Sequence, residues 1–125
     1  MEIEIKDNEL LFLYNSRSTN DRTALGYINP TDTYVIKERD IQTDSFTETQ
    51  LKEIANRLKI STEDLIDKKS YLYKDKFAHS NFEEDDLLIA LKQEPDLMRT
   101  PILLFRERAE FVESKFDFMK KDMKF

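Results

Sequence analysis

The chain has 125 residues, a formal net charge of −6 at pH 7 and no cysteine. That length suits one compact domain. The acidic balance disfavours DNA or RNA as a partner, because phosphate backbones require a basic face. The absence of cysteine excludes disulfides, thiolate catalysis and cysteine-based zinc sites. A single glycine and three prolines argue against a turn-rich β-sandwich.

The first residues alternate polar and apolar side chains from Glu2 to Lys6. This pattern fits either a short edge strand or an N-terminal extension. It is too charged and too short for a signal peptide or a membrane span, and no long apolar stretch follows it. We therefore expect a cytoplasmic protein with no membrane partner.

The first half of the chain predicts strands that alternate with helices. Leu10–Tyr14 is apolar on both faces, which is typical of a central strand covered on both sides. A polar loop follows, and residues 19–27 form a predicted helix that ends near Gly26, Asn29 and Pro30. Residues 33–37 are rich in β-formers and predict a second strand.

The middle of the chain predicts a helical region. The best-defined helix covers 47–58, since Thr47 and Gln50 have the spacing of a capping box and apolar residues recur every three or four positions. The elements expected after it are a short helix from Ser61, a loop over 68–80, and a helix that starts at Asn81 and ends at Pro95.

The last part of the chain predicts a strand at 102–105 and a hairpin partner at 109–113. An amphipathic segment at 116–125 predicts a C-terminal helix that packs on the sheet or presents a partner-binding face. Strands that alternate with helices and close on a hairpin favour an α/β fold, in which helices flank a mixed sheet on both faces.

Three segments of the sequence, taken together, resemble the motifs of one protein family. Residues 14–23 read Tyr-Asn-Ser-Arg-Ser-Thr-Asn-Asp-Arg-Thr, residues 38–58 join a strand end to the capped helix, and residues 94–103 read Glu-Pro-Asp-Leu-Met-Arg-Thr-Pro-Ile-Leu. These segments resemble the reactive loop, the second strand with its helical insertion, and the Pro-x-Leu-x-Arg-Pro-Ile segment of the arsenate reductase and Spx family of thioredoxin-like proteins. The resemblance spans roughly residues 10–111.

The resemblance implies a single thioredoxin-like domain over residues 1–125, with an arsenate reductase-type helical insertion at about 46–92. It also implies that the Thr100–Pro101 peptide bond is cis and faces the loop that contains Ser18. Such a chain is expected to be a divergent family member, because its reactive loop departs from the family pattern.

The departures concern the residues that the family uses for chemistry. By resemblance, Ser18 stands where the reactive cysteine would be, and Asp21 stands where the second cysteine or a serine would be. Arg22 matches the basic residue of the loop. These substitutions predict a protein that does not catalyse thiol redox chemistry.

The expected anion site is also incomplete. Thr100 replaces the arginine that precedes the cis-proline, although Arg99 provides a basic residue one position earlier. Glu63 lies near the position of another expected anion-binding arginine. Oxyanion binding requires converging positive charge, and two contributors are replaced.

Two interpretations of the loop remain open. Ser18 as a nucleophile would need an adjacent base, and the only histidine, His79, lies in a different predicted loop. An N-cap or solvated role for Ser18 is therefore favoured. Free backbone N–H groups and Arg22 could instead bind a small anion or glutathione, which Asp21 opposes. The candidate ligand-binding residues are Ser18, Thr19, Asn20, Arg22, Arg99, Thr100 and Pro101.

Other polar and aromatic clusters predict surfaces rather than chemistry. Residues 83–86 are acidic, but consecutive side chains on a helix diverge, so we predict a solvated helix start and no metal site. Residues 71–73 with Phe77 and Phe82 either fold back onto the domain or form an interface. No cofactor is predicted.

The leading functional hypothesis is a non-catalytic binding or regulatory module that acts through protein contacts. The Spx branch, by resemblance, regulates transcription by contacting RNA polymerase, and nothing in this sequence specifies that partner. The alternatives are an oxidoreductase-related enzyme that uses glutathione or a partner's thiol, a small-anion-binding protein, and a structural role in an oligomer. An enzyme would require a concave, positive pocket around Ser18 and Arg22.

Overall fold

The computed structural model describes residues 3–28, 35–76 and 83–112. Within these ranges the strands are β1 (Glu9–Tyr14), β2 (Val35–Asp40), β3 (Ile102–Leu104) and β4 (Ala109–Phe111). The helices are α1 (Thr19–Ile28), α2 (Glu48–Leu58), α3 (Tyr71–Lys76) and α4 (Glu84–Gln93), and two 3-10 turns lie at Thr62–Leu65 and Pro95–Leu97.

The four strands form one mixed sheet in the order β2-β1-β3-β4. β1 pairs parallel with β2 along its whole length and antiparallel with β3, and β3 pairs antiparallel with β4. Leu10, Phe12 and Leu13 in β1 are fully buried. This agrees with the prediction of a central strand covered on both faces.

Each face of the sheet supports its own apolar cluster, because successive side chains of a strand point to opposite faces. Leu10 and Phe12 pack in the smaller cluster with Ala24 of α1. Leu13 packs in the larger cluster with residues of α2, α4 and both 3-10 turns. Helices therefore cover both faces, and the predicted fold class is confirmed.

The start and end of α2 follow from local sequence. The Thr47 hydroxyl accepts from the Gln50 N–H at 3.1 Å, and the Gln50 side chain accepts from the Thr47 N–H at 3.0 Å, so the predicted capping box is present. The helix ends where Lys59 adopts a left-handed conformation with φ 60°.

Two predicted elements differ from the structure. β2 continues to Asp40, three residues beyond the predicted end at 37, because every residue of β2 is aligned with one of β1; pairing with a neighbouring strand overrides the weak β propensity of Lys37, Glu38 and Arg39. Residues 33–34 lie outside the described residues.

The predicted loop at 68–80 was wrong over the residues that form α3. The Ser70 hydroxyl accepts from the Tyr73 N–H at 3.1 Å, which supports the first turn of α3. Leu72 and Tyr73 then pack against the larger cluster. Sequence periodicity does not reveal a helix this short, since tertiary contacts stabilise it.

The predicted start of α4 at Asn81 lies outside the described residues, as do the hairpin end at 113 and the C-terminal segment 116–125. In the structure α4 is capped by Glu83, whose side chain and that of Asp86 form a capping box. It ends before Pro95, as predicted.

The N-terminal segment is an extension rather than a strand in the part that is described. Ile3 and Ile5 are buried in the larger cluster. The Ile3 N–H donates to Glu53 at 3.0 Å, and Arg57 donates to the Ile3 carbonyl at 2.7 Å. Across the described ranges, no helix is long and apolar enough to cross a membrane.

Candidate functional site

The candidate site is the loop between β1 and α1. The Ser18 N–H donates to the Asn15 carbonyl at 2.9 Å, which turns the chain, and the Ser18 carbonyl accepts from the Arg22 N–H at 3.1 Å. The Ser18 hydroxyl accepts from the Asp21 N–H at 3.2 Å. Ser18 therefore has the hydrogen bonds of a helix N-cap.

Asp21 lies inside this loop with only 1% of its surface exposed. One carboxylate oxygen accepts from the Asn15 N–H at 2.8 Å, and the other accepts from the Ser18 hydroxyl at 3.2 Å. Burial raises the pKa of Asp21 above its usual value, although these hydrogen bonds oppose that shift. The Thr100 side chain also acts to lower the pKa of this carboxyl group.

A second carboxylate, that of Asp40 at the end of β2, also binds the loop. Its Oδ1 accepts from the Ser16 N–H at 3.1 Å and the Gln42 N–H at 3.0 Å. Partial burial acts to raise the pKa of Asp40, but the hydrogen bonds from Ser16 and Gln42 outweigh it, so this pKa lies below its usual value. Asp40 thus stays ionised and holds the loop.

The backbone N–H groups of residues 15–18 are consequently all engaged inside the protein. Asn15 donates to Asp21, Ser16 to Asp40, Arg17 to the Asn15 side chain at 2.9 Å, and Ser18 to the Asn15 carbonyl. Anion-binding loops present such groups to the ligand. Here two of these N–H groups bind carboxylates of the chain itself, Asp21 and Asp40, in place of a ligand.

A further polar network fixes the outer side of the loop. Asp96 Oδ1 accepts from Asn15 Nδ2 at 2.9 Å and from Gln42 Nε2 at 2.6 Å. Asp96 Oδ2 pairs with Arg17 at 3.1 Å. Sequence reasoning missed Asp40, Gln42 and Asp96, because these residues follow the loop by 24 to 81 positions and no local pattern connects them.

The predicted ligand residues divide into two groups. Asn20, Arg99, Thr100 and Pro101 line a groove of roughly 630 Å³, and the Thr100–Pro101 peptide bond is cis. The other predicted residues, Ser18, Thr19 and Arg22, are not among those that line this groove.

The two arginines of the predicted set are held by their own chain. Arg22 donates to the Ser16 carbonyl at 2.6 Å and to the Thr19 hydroxyl at 3.2 Å. The guanidinium of Arg99 lies 3.8 Å from the centre of the Phe111 ring, in a cation–π contact. Both guanidinium groups are therefore engaged by other parts of the chain.

The groove itself has mixed charge. Lys68, Lys69 and Arg99 line it together with Asp64 and Asp67. Glu63, near the position expected for an arginine, forms an ion pair with Lys68 at 2.9 Å. An enzyme would require a positive pocket around Ser18 and Arg22, and this groove is neither lined by those two residues nor uniformly positive.

The remaining candidate clusters form surfaces. No group of three or more metal-ligating side chains occurs in the described part of the chain. The acidic residues 83–86 are exposed at the start of α4. Tyr71 is 81% exposed, whereas Leu72 and Tyr73 pack inward. His79, Phe77 and Phe82 lie outside the described residues.

Solved structures share this architecture. A candidate arsenate reductase from Yersinia pestis is 19% identical, over 90% of this chain and 99% of its own, with a TM-score of 0.78. An arsenate reductase from Vibrio cholerae is 17% identical, over 92% of this chain and 98% of its own, with a TM-score of 0.77. A candidate ArsC family-related protein from Bacteroides fragilis is 17% identical, over 90% and 97%, with a TM-score of 0.70.

No protein-family model and no curated protein sequence matches the chain. At sequence identities of 17 to 19%, this structural similarity establishes the fold alone. The chain therefore has the thioredoxin-like fold of the arsenate reductases, as its sequence resemblance predicted. It carries that fold without any cysteine.

Proposed function

We propose that this protein is a non-catalytic, divergent member of the arsenate reductase and Spx family that acts as a binding or regulatory module through protein contacts. The observation that supports this most directly is the position of Asp21. The buried carboxylate of Asp21 accepts from the Asn15 N–H and the Ser18 hydroxyl, two donors that a bound oxyanion would otherwise use.

Ser18 is a poor nucleophile in this setting. Its oxygen accepts the Asp21 N–H and so caps α1, and its proton is shared with the Asp21 carboxylate. Activation of a serine needs a base that removes the proton and a free path for the oxygen to a substrate. Ser18 is absent from the lining of the adjacent groove.

Anion binding in the loop is opposed by charge as well as by occupancy. A phosphate or arsenate there would displace Asp21 or Asp40 from N–H groups that both already hold at 2.8 to 3.1 Å. It would also meet two carboxylates at short range, which is unfavourable in a buried setting. The loop is therefore better suited to a structural role.

The competing function is binding of a small anion or glutathione. Lys68, Lys69 and Arg99 beside the Thr100–Pro101 bond would favour it. Asp64 and Asp67 in the same groove oppose it.

A ligand titration separates the two functions. Thermal unfolding of the wild type is followed with arsenate, phosphate, sulfate and glutathione, each at rising concentration and constant ionic strength. We expect no saturable stabilisation. A ligand present at about one hundred times its Kd would stabilise the protein by about 2.7 kcal/mol, which such an assay detects.

Two variants locate any binding that occurs. Saturable stabilisation that disappears in Arg22→Ala would place an anion in the loop, and loss in Arg99→Ala would place it in the groove. Either result would contradict the proposed function. Lys52→Ala, an exposed substitution on α2, serves as the charge-matched control.

A further inference from the structure

The outer edge of β2 is unpaired within the described part of the chain. β2 is the end strand of the sheet, and it pairs only with β1 among the described strands. The Val35 N–H donates to the Asn8 carbonyl at 2.8 Å, and the Ile41 N–H donates to the Tyr14 carbonyl at 2.9 Å. Odd-numbered residues of β2 therefore bond to β1, and the backbone groups of Ile36 and Glu38 point away from the sheet.

The open part of this edge is short and has a defined end. The Asp40 carbonyl accepts from the Asp44 N–H at 2.9 Å, so the chain itself covers the edge from that point. Ile36 and Glu38 form no such backbone bond with any described residue on the outer side. Among the described residues, two N–H groups and two carbonyls on this edge therefore have no backbone partner.

Charge is segregated between the two faces of β2. Ile36 packs in the smaller cluster, so Glu38 and Asp40, at alternate positions, lie on the same face. Lys37 and Arg39 lie on the opposite face. One face of the edge is therefore acidic and the other is basic.

The two cationic side chains, Lys37 and Arg39, both contact other residues of their own chain. Lys37 pairs with Glu9 of β1 at 2.8 Å, and the guanidinium of Arg39 lies 3.8 Å from the centre of the Phe46 ring. Arg39 also donates to the Ser45 carbonyl at 2.6 Å, so both cations are engaged within the chain. Lysines that project from an edge are a common defence against strand addition, and this defence is weakened here.

A second copy of the chain fits this edge badly. Two copies related by a twofold axis would pair antiparallel, and outward-facing residues must oppose outward-facing residues. Glu38 would then face Glu38, Asp40 or Ile36 of the other copy, and Lys37 would face Lys37, Arg39 or Val35. Like charges directly opposite one another are destabilising.

We propose that the outer edge of β2 is a docking edge for an extended segment of another protein in which basic residues alternate with acidic ones. Such a strand places lysine or arginine beside Glu38 and Asp40, and aspartate or glutamate beside Lys37 and Arg39. This inference rests on the proposed function, since it assigns a surface to the protein contacts. Strand addition supplies main-chain bonds, and the alternating charges supply specificity.

The test uses two capped eight-residue peptides of equal composition. In one, Lys and Glu alternate; in the other, four Lys precede four Glu. Each is titrated into the full chain labelled with nitrogen-15, and amide shifts and amide hydrogen exchange are recorded. We expect saturable shifts and slower exchange at Ile36 and Glu38 with the alternating peptide, and binding at least about fivefold weaker with the block peptide.

Three variants make the test specific. Glu38→Pro removes one outward N–H while the bonds of Lys37 and Arg39 to β1 persist, so the alternating peptide should no longer bind. Glu38→Gln keeps that N–H and should bind with a loss of about fivefold or less. Lys37→Glu places two acids in succession and should weaken binding by about fivefold.

Three results would overturn the proposal: equal binding of both peptides, shifts that map away from β2, or binding that Glu38→Pro leaves unchanged. Self-association of the wild type that Glu38→Pro abolishes would also overturn it, since the edge would then pair with a second copy. The proposed function has its own failure, saturable anion binding in the ligand titration, which this test does not measure.

Discussion

Two neighbouring parts of the molecule differ in how their backbone groups are hydrogen-bonded. One is the loop between β1 and α1, and the other is the outer edge of β2. In residues 15–18 every backbone N–H donates to an acceptor within the protein, and two of the four acceptors are carboxylates. Along β2, Ile36 and Glu38 direct their backbone groups to the outside. The loop that the resemblance assigns to chemistry is closed, whereas the β2 edge, which has no assigned chemistry, has no partner strand among the residues that the structure describes. Closure of the one site and openness of the other can be tested separately.

The largest expected effect is on stability. Asp21→Ala should lower the free energy of unfolding by about 1–3 kcal/mol, because the buried Asn15 N–H loses its acceptor. Glu38→Ala, an exposed substitution on the open edge, should change it by about 0.5 kcal/mol or less. Urea unfolding followed by circular dichroism measures both. Equal effects of the two substitutions would show that the loop is not a tightly closed network.

A thiol introduced at Ser18 reports on the loop directly, since the chain contains no other cysteine. In Ser18→Cys the Asp21 carboxylate should raise the pKa of the thiol by about one unit above the usual value near 8.5. Thiolate absorbance near 240 nm across a pH series gives this pKa.

The matched control for that thiol is the double variant Ser18→Cys with Asp21→Asn. Removal of the charge should bring the thiol pKa down again, toward or below the usual value, since the helix N-terminus then acts alone. A thiol pKa that is already low in Ser18→Cys would mean that Asp21 does not neutralise the site.

The pH dependence of stability tests the burial of Asp21. Because the folded-state pKa of Asp21 is raised above 3.8, the folded protein holds this proton more tightly than the unfolded chain. The stability contributed by the protonated group is therefore lost as pH rises from about 3.8 through the folded-state pKa.

The measurement for this prediction is the difference in unfolding free energy between wild type and Asp21→Asn across a pH series. The difference should move in favour of the variant as pH rises, and then become constant. A change in the opposite direction would mean that hydrogen bonds, rather than burial, control the carboxyl group.

Only a small effect on stability is expected at the outer side of the loop. The Arg17–Asp96 ion pair is exposed, with 71% of the Arg17 side chain and 39% of the Asp96 side chain accessible. Arg17→Ala should lower the unfolding free energy by about 0–1 kcal/mol, and less at high salt. A larger loss in the same urea assay would show that the network extends to the surface.

Parts of the fold could be predicted because their causes are local. The capping box of α2 depends on residues three positions apart, and the burial of Leu10 and Phe12 follows from an apolar run. The length of β2 and the existence of α3 could not be predicted this way. Both depend on contacts with distant parts of the chain, which override weak local preferences.

The candidate site shows the same division. Ser18, Asp21 and Thr100 were singled out from the sequence, and the structure brings these three side chains together. Their arrangement was not predictable, because Asp21 is near Ser18 along the helix whether it faces solvent or the interior. Asp40, which completes the closure, follows Ser16 by 24 residues and is brought there by the parallel pairing of β2 with β1.

The sequence by itself determined that this chain performs no chemistry with a thiol of its own, since it contains no sulfhydryl group. It also determined the fold class, through alternating strands and helices whose patterns are local. Only the tertiary structure decided that the loop is closed. The direction in which the Asp21 carboxylate points depends on the packing of α1 against the sheet, which is set by contacts between residues far apart in the chain.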